Sequence, residues 1–440
     1  MPHVGARVKQ RRHSRYDYAV IGAGAAGLAA ARALSGAGKR VCILEARPRI
    51  GGRVFTQHIA DLPVPIELGA EFIHGESETT FNIVNGASLA ACELPDEHLW
   101  SRNGQWVRVA DFWEEIDRIR RKIRPRKRDI SFAEFLRSRR ELTPRQRDLA
   151  CNFVEGYHAA HADRISALAL KSADEEQDPS QNRQFRLAGG QDALLEWLRA
   201  GLDPQRTDLL LGTVAKRVQW SPRAVTIECS GHDPIRASAL IITIPIGVWK
   251  APAGQEGAIE FDPPLKEKEN AVAKLEAGHV VKIVFRFRER FWGDGEQPAP
   301  NFLHGEDRFM PVWWTTAPIR SPVLVGWAGG GAADALLAEG RETLHDRALD
   351  AMSRAWCVPR RRIDALLAGT FMHDWQSDPY SRCAYSYAGV GGSDAHAALA
   401  KPVRGTLYFA GEATSGDQTG TVAGAIDSGF RAAREALKRA

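Results

Sequence analysis

At 440 residues, with 44% hydrophobic and 26% charged side chains, the chain is long enough for two or three globular domains and too apolar for wholesale disorder. Lys and Arg number 59 against 54 Asp and Glu, a formal charge of +5. That excess is too small on so large a surface to argue for a nucleic-acid partner. The six cysteines, at positions 42, 92, 151, 229, 357 and 383, show neither CxxC nor CxxxxC spacing, which suits free thiols in a reducing, cytoplasmic setting and no metal.

Residues 1–15 form a basic tail with Arg7, Lys9, Arg11, Arg12 and Arg15 and no apolar stretch, so they lack the middle of a signal peptide. No uncharged apolar run reaches the roughly 18 residues of a membrane span. The first apolar run, Asp17 to Ile21, reads as a buried strand and leads directly into Gly22-Ala-Gly24-Ala25-Ala26-Gly27 and an alanine-rich helix. This is GxGxxG between strand and helix. Gly22 suits the tight turn, Gly24 a close approach of backbone to pyrophosphate, and Gly27 a helix packed against its strand. A second strand, Arg40 to Leu44, ends at Glu45, 18 residues past Gly27. An acid at that spacing hydrogen-bonds a ribose hydroxyl and repels a 2′-phosphate, favouring FAD or NAD over NADP. Ala46-Arg47-Pro48-Arg49-Ile50-Gly51-Gly52-Arg53 follows, able to bring amides and cations to a second phosphate.

Residues 96–185 read as a helical insertion, with amphipathic stretches at 111–119 and 132–136 separated by Pro125 and Pro144. Eight basic residues fall between Arg118 and Arg128; without interleaved aromatics they read as a solvated face. His158 and His161 have a metal-like spacing but lack a third ligand candidate. Strands are expected at 212–220, which includes Val214, and at 280–287, 311–315 and 323–326. Lys282 interrupts the apolar run Val280-Val281-Lys282-Ile283-Val284-Phe285. A buried ammonium there needs a task or a partner, while an edge strand would let it snorkel to solvent. Trp375 to Tyr387 concentrates aromatics in an expected loop. A strand at 406–410, a Gly411-Glu412 turn and a helix starting near Thr421 close the chain.

EARPRIGGRV (45–54) followed by Glu67-Leu68-Gly69-Ala70-Glu71-Phe-Ile-His74-Gly75 resembles the flavin-containing amine oxidases, a family that includes monoamine oxidases, polyamine oxidases and lysine-specific histone demethylases. The resemblance recurs at 189–194, at 239–247 with Thr243, at 375–387, at 407–414 and at 420–429. It implies an α/β fold. A Rossmann-like FAD-binding domain would combine 16–95, 186–250 and 376–440, interleaved with an α+β substrate-binding domain of 96–185 and 251–375.

Motifs and resemblance together put the cofactor against Gly22, Gly24, Ala25, Ala26, Gly27, Glu45, Ala46, Arg47, Gly52, Arg53, Leu68, Gly69, Ala70, Glu71, Val214, Thr243, Trp375, Tyr380, Gly411, Glu412, Thr421 and Val422. By resemblance, Glu412 holds the ribityl or phosphate region, and Thr421 and Val422 offer backbone amides to the flavin. The same resemblance implies that Lys282 would reach flavin N5 through a water and assist reoxidation, that Trp375 would pack on the cofactor, and that Tyr385 would form one side of the substrate cage. His74 either accepts a proton or orients the amine, or is satisfied by backbone groups; Glu71 is a candidate for a second amino group.

Two departures from monoamine oxidases matter. Ala384 stands where they carry the cysteine that attaches FAD, with Cys383 one residue earlier, so noncovalent FAD is expected. Thr421 replaces the partner tyrosine of their cage and turns expectation toward polyamines or another secondary amine. The family's acceptor is O2, which gives H2O2. Gly329–Gly331 and the glycines at 389–391 do not repeat the GxGxxG spacing, so no second nicotinamide fold for flavin reduction is expected. Amino-acid oxidation would need an arginine after the second glycine motif, and 69–85 has none. A non-catalytic flavoprotein scaffold and a homodimer stay open.

Overall fold

The computed structural model describes residues 15–102, 104–108, 112–124, 128–172, 183–293 and 300–438. Almost all of the basic tail, and residues 125–127 of the basic run, lie outside these. An eight-stranded sheet forms the nucleotide half. Its centre is β1 (Tyr16–Ile21), parallel both to β2 (Val41–Leu44) and to the strand Ile235–Ile242. Thr207–Leu210 adds in parallel beyond β2, and Leu407–Phe409 pairs in parallel with Ile235–Ile242. Such strands are covered on both faces, which is why Val41, Cys42, Ile43 and Leu44 are all buried. Between β1 and β2 runs α1 (Ala25–Gly36), whose small residues let the helix Val422–Leu437 lie close against it. A Cβ at Gly429 of that helix would overlap the Ala26 carbonyl oxygen.

The second, seven-stranded sheet orders Leu367–Phe371, Val280–Phe287, Val323–Gly329, Val312–Thr315, Phe302–His304, His98–Arg102 and Gln105–Arg108. Its last two strands correct the expectation that helix begins at residue 96. Arg102 pairs with Gln105, Gly104 turns at φ +78°, and Trp100, Trp106 and Val107 are strand-favouring. The helical insertion follows, at Phe112–Arg120, Phe132–Ser138, Pro144–His158 and Ala167–Ser172. Thr143 and Gln146 form a capping box at the start of the third of these, with Pro144 in its first turn.

Two further positions differ from expectation. The strand expected at 212–220 begins at Ala215, because Gly212 turns in the left-handed region at φ +64°. Glu260–Asp262, from the stretch assigned to the second domain, extends the first sheet beside Ala215–Ser221. Among the described residues no helix is long and apolar enough to cross a membrane.

Candidate active site

At the nucleotide end the three glycines do separate jobs. Gly22 adopts φ +103°, and a Cβ there would lie 2.5 Å from Thr243 Oγ1. A Cβ on Gly27 would overlap the Gly22 carbonyl oxygen, whereas one on Gly24 would meet nothing nearer than Gly51 O at 3.8 Å. Gly24 is also the N-cap of α1, with neither a side-chain cap nor an acidic residue in the first turn. The free N–H groups and positive end of the helix are therefore open to an anionic ligand. Glu45 is drawn to this loop, accepting from the N–H of Ala23 at 2.8 Å and of Arg47 at 2.9 Å.

The arginines expected at a second phosphate arrive already paired. Arg47 donates twice to Asp378, at 2.7 and 3.3 Å, and Arg53 donates to Glu412 Oε1 at 2.9 Å and to the Ala384 carbonyl at 2.8 Å. Glu412 also accepts from Ser386 Oγ at 2.7 Å. Its carboxylate thus has protein partners while still lining the cavity.

One cavity of about 870 Å³ runs from the glycine loop to the second sheet, and every candidate residue except Gly27 lines it. Gly27 contributes behind the lining, through helix packing. Lys282 lies on an inner strand, flanked by Val323–Gly329 and Leu367–Phe371, so the edge-strand alternative fails. The residue is only 4% exposed, and its ammonium donates to Glu71 Oε2 at 2.7 Å and to the Gly69 carbonyl at 3.1 Å. Glu71 receives two further buried donors, Arg186 Nη2 at 2.7 Å and Trp314 Nε1 at 3.1 Å. Burial alone would raise the Glu71 carboxyl; the Lys282 and Arg186 charges outweigh it and hold the group below the ordinary carboxylate range. Glu71 is therefore a partner for Lys282, not a free charge for a second amino group.

Aromatic rings close the cavity on the helical side. Tyr385 donates to the Tyr157 carbonyl at 2.9 Å and covers Gly420, where a Cβ would lie 3.2 Å from its ring. The Tyr157 ring stands edge-on to His74, with centroids 5.6 Å apart, and edge-on to Trp113. His74 Nδ1 is buried without a hydrogen-bond partner, which removes the backbone-satisfied alternative for that atom, and burial pushes the imidazole down to about 4. Thr421 caps the helix Val422–Leu437: its hydroxyl accepts from Gly424 N at 2.9 Å and donates to Gln418 O at 2.8 Å. Trp375 is pinned by its Nε1 to the Leu68 carbonyl at 3.0 Å, while the Tyr380 hydroxyl turns away to Glu256 at 2.7 Å.

Sequence reasoning missed Arg186, Trp314, Tyr157, Trp113, His98 and His304. Arg186 carried the same signal as Lys282, a cation inside the buried strand Gln184–Leu187. The metal spacing of His158 and His161 does not survive folding. Ala159, at φ 51°, ends the helix between them, and His161 turns to Asp334 at 2.9 Å. Among the described residues no group of three His, Cys, Asp or Glu is arranged for a metal. The basic run is partly spent internally: Arg118 pairs with Glu114, Lys122 with Glu141, and Arg120 donates to the Leu170 carbonyl.

This arrangement is that of a dinucleotide flavoprotein with an aromatic-lined chamber beside the nucleotide site. The family model for flavin containing amine oxidoreductases matches residues 25–437. Polyamine oxidase 3 of Oryza sativa subsp. japonica is 30% identical over 99% of this chain and 92% of its own length. Polyamine oxidase 4 of the same plant is 31% identical over 96% and 88%. A solved putrescine oxidase with bound putrescine shares the fold, with TM-score 0.81 and 21% identity over 96% of this chain and 99% of its own. The chain belongs to the flavin-containing amine oxidoreductases, and FAD is its cofactor. The site fits FAD on its own geometry: an open Gly24 backbone at an uncapped helix start, Glu45 beside it, and first-turn amides of a second helix at Val422 on the same cavity.

Proposed function

We propose that the enzyme oxidises a polyamine or another secondary amine, uses O2 as acceptor to give H2O2, and holds FAD noncovalently. The observation that carries this reading is the single cavity joining the glycine loop to Lys282, His74 and Tyr385. The flavin supplies a two-electron acceptor for the hydride of the carbon next to nitrogen; the chain's residues bind, orient and desolvate the amine. Tyr385, Tyr157 and Trp113 offer aromatic faces that draw in an ammonium and pack its alkyl groups. His74, kept neutral by burial, suits accepting a proton from the amine or orienting it. Lys282, fixed by Glu71 and the Gly69 carbonyl, brings a positive charge to the region where oxygen is reduced.

Noncovalent attachment is supported by Cys383, whose thiol is buried behind the cavity wall, bonded to the Ser381 carbonyl, and pushed up to about 11 by burial. The names of the two rice relatives support a polyamine. An amino-acid carboxylate finds no ready anchor, because Arg47, Arg53 and Arg120 are each engaged by protein groups. Six free cysteines support a reducing, cytoplasmic setting.

The test is anaerobic bleaching of the yellow enzyme by spermine, N-acetylspermine, phenethylamine, a cyclic secondary amine and leucine. Rapid bleaching by polyamine or secondary amine is expected, with none by leucine. Bleaching by dithionite but by no amine would transfer the protein to another flavin substrate or to a scaffold role.

A further inference from the structure

The helical insertion meets the second sheet across a seam built largely of backbone. The helix Pro144–His158 ends where Ala159 turns left-handed at φ 51°, and the carbonyls of this turn press on glycines. A Cβ on Gly329 would overlap the Glu155 carbonyl oxygen, and one on Gly330 would lie 2.5 Å from that of Ala160. A Cβ on Gly278 would lie 2.9 Å from the carbonyl oxygens of both Ala159 and Tyr385. Gly329 and Gly330, which have no place in the GxGxxG loop, thus serve a close approach of backbone to backbone. Such a seam fits tightly but offers few interlocking side chains to hold its two surfaces in register.

Directed groups must set that register, and one of them lies outside the cavity. Asp334, on the helix Gly330–Ala338, gives each carboxylate oxygen to an imidazole from another segment. Its Oδ2 accepts from His161 Nε2 at 2.9 Å and its Oδ1 from His279 Nδ1 at 2.6 Å. His161 comes two residues after the left-handed turn, and His279 immediately precedes the strand Val280–Phe287 that carries Lys282. One carboxylate therefore joins the insertion, the sheet and a third element. None of the three side chains lines the cavity, and that of Asp334 is 40% exposed, so the bridge can be cut without opening the core.

Aromatic groups of the chamber hang on this seam. Tyr157 lines the cavity with 42% of its surface exposed, and its carbonyl receives the Tyr385 hydroxyl at 2.9 Å. Gly278 holds Tyr385 from the other side, its N–H donating to the Tyr385 carbonyl at 2.8 Å. Trp327, on the sheet, donates to the Gly156 carbonyl at 2.8 Å. A slip of the seam would shift Tyr157 and Tyr385 against the Lys282 strand while leaving the bonds of Lys282 to Glu71 and Gly69 untouched.

We propose that Asp334 is a positioning residue for amine oxidation: by holding His161 to His279 it fixes the turn 156–161 on the sheet and sets how Tyr157 and Tyr385 face the substrate. The proposal rests on the amine-oxidase reading above and adds to it a residue that never touches the amine.

The test measures the two half-reactions separately on the holoenzyme, with whichever amine of the panel above bleaches the wild type fastest. Asp334→Ala should slow anaerobic flavin reduction roughly ten- to a hundredfold, while flavin content and the rate of reoxidation by O2 stay those of the wild type. Asp334→Asn, whose carboxamide accepts from one imidazole and donates to the other, should recover most of the loss. His161→Leu should slow reduction as well, and combined with Asp334→Ala should cost little more than either alone. Unchanged reduction in Asp334→Ala overturns the proposal, and so does equal slowing of both half-reactions, which marks general damage. Should Asp334→Ala fail to fold, His279→Leu, which unties one arm only, decides by the same comparison. Bleaching of the wild type then shows that amine oxidation stands although the positioning role has fallen. Failure of every amine to bleach it brings down both.

Discussion

Replacing Glu71 by Gln is the sharpest perturbation the site offers, because it removes one charge and almost no volume. The Glu71, Lys282 and Arg186 side chains are 7%, 3% and 6% exposed. Without the carboxylate, two buried cations share a neutral amide, and breaking such a pair from one side costs about 3–5 kcal/mol. Unfolding entropy of about 2.1 cal/mol/K per residue gives about 0.9 kcal/mol/K for a chain of 440 residues. The melting temperature of Glu71→Gln should therefore fall by about 3–5 °C in scanning calorimetry of the holoenzyme at neutral pH. The double variant Glu71→Gln/Lys282→Met removes the orphaned ammonium and should melt above Glu71→Gln alone, a non-additive coupling. The pH dependence has a definite sign. Glu71 is held below its ordinary value of 4.5, so its stabilisation is complete above that pH and is lost as pH falls through the folded value. The gap between wild type and Glu71→Gln should close in acid. A Glu71→Gln protein melting within about 1 °C of wild type, or a double variant in which the two losses add, would refute the buried network as a unit.

Lys282→Met should still bind FAD and be reduced by amine, but reoxidise roughly a hundredfold more slowly in stopped-flow mixing with O2; an unchanged oxygen reaction removes Lys282 from that step. His74 sits at about 4 in the folded protein against an ordinary 6.5. Between those values the unfolded chain takes up a proton that the folded state refuses, so stability should fall as pH drops from 6.5 toward 4, and His74→Phe should flatten that slope in pH-dependent melting. Persistence of the full slope in the variant assigns it to other groups. Gly27→Ala should give protein with little or no bound flavin, read as the ratio of flavin to protein absorbance, because its methyl would overlap the Gly22 carbonyl oxygen. A fully yellow variant would refute that packing requirement.

What sequence conveyed well was chemistry confined to one short stretch of chain. The glycine loop, the acid at Glu45 and the cap at Thr421 act on neighbours a few residues away, so strand, turn and helix periods reveal them. Lys282 was legible as an anomaly for the same reason, a cation among valines, but its meaning was not. Its carboxylate partner lies 211 residues earlier in the chain, and the arginine that completes the cluster lies another 115 residues beyond that carboxylate. His98 and His304 are separated by 206 residues and meet only because Phe302–His304 pairs in parallel with His98–Arg102. That pairing depends on a hairpin misread as the start of a helical region, so the distal wall of the cavity was hidden by one local error.

The same logic applies to Arg47, Arg53 and Glu412, expected from sequence at cofactor phosphates and sugar. Motif reading supplies no distant partner, and Asp378, Ser386 and the Ala384 carbonyl arrive from the other end of the chain to engage them. Residues shared by the two ends of the chain thus hold the cavity in shape before any ligand enters. Groups left with unspent valence, such as the Gly24 backbone and His74 Nδ1, are the ones such engagement leaves open on the cavity.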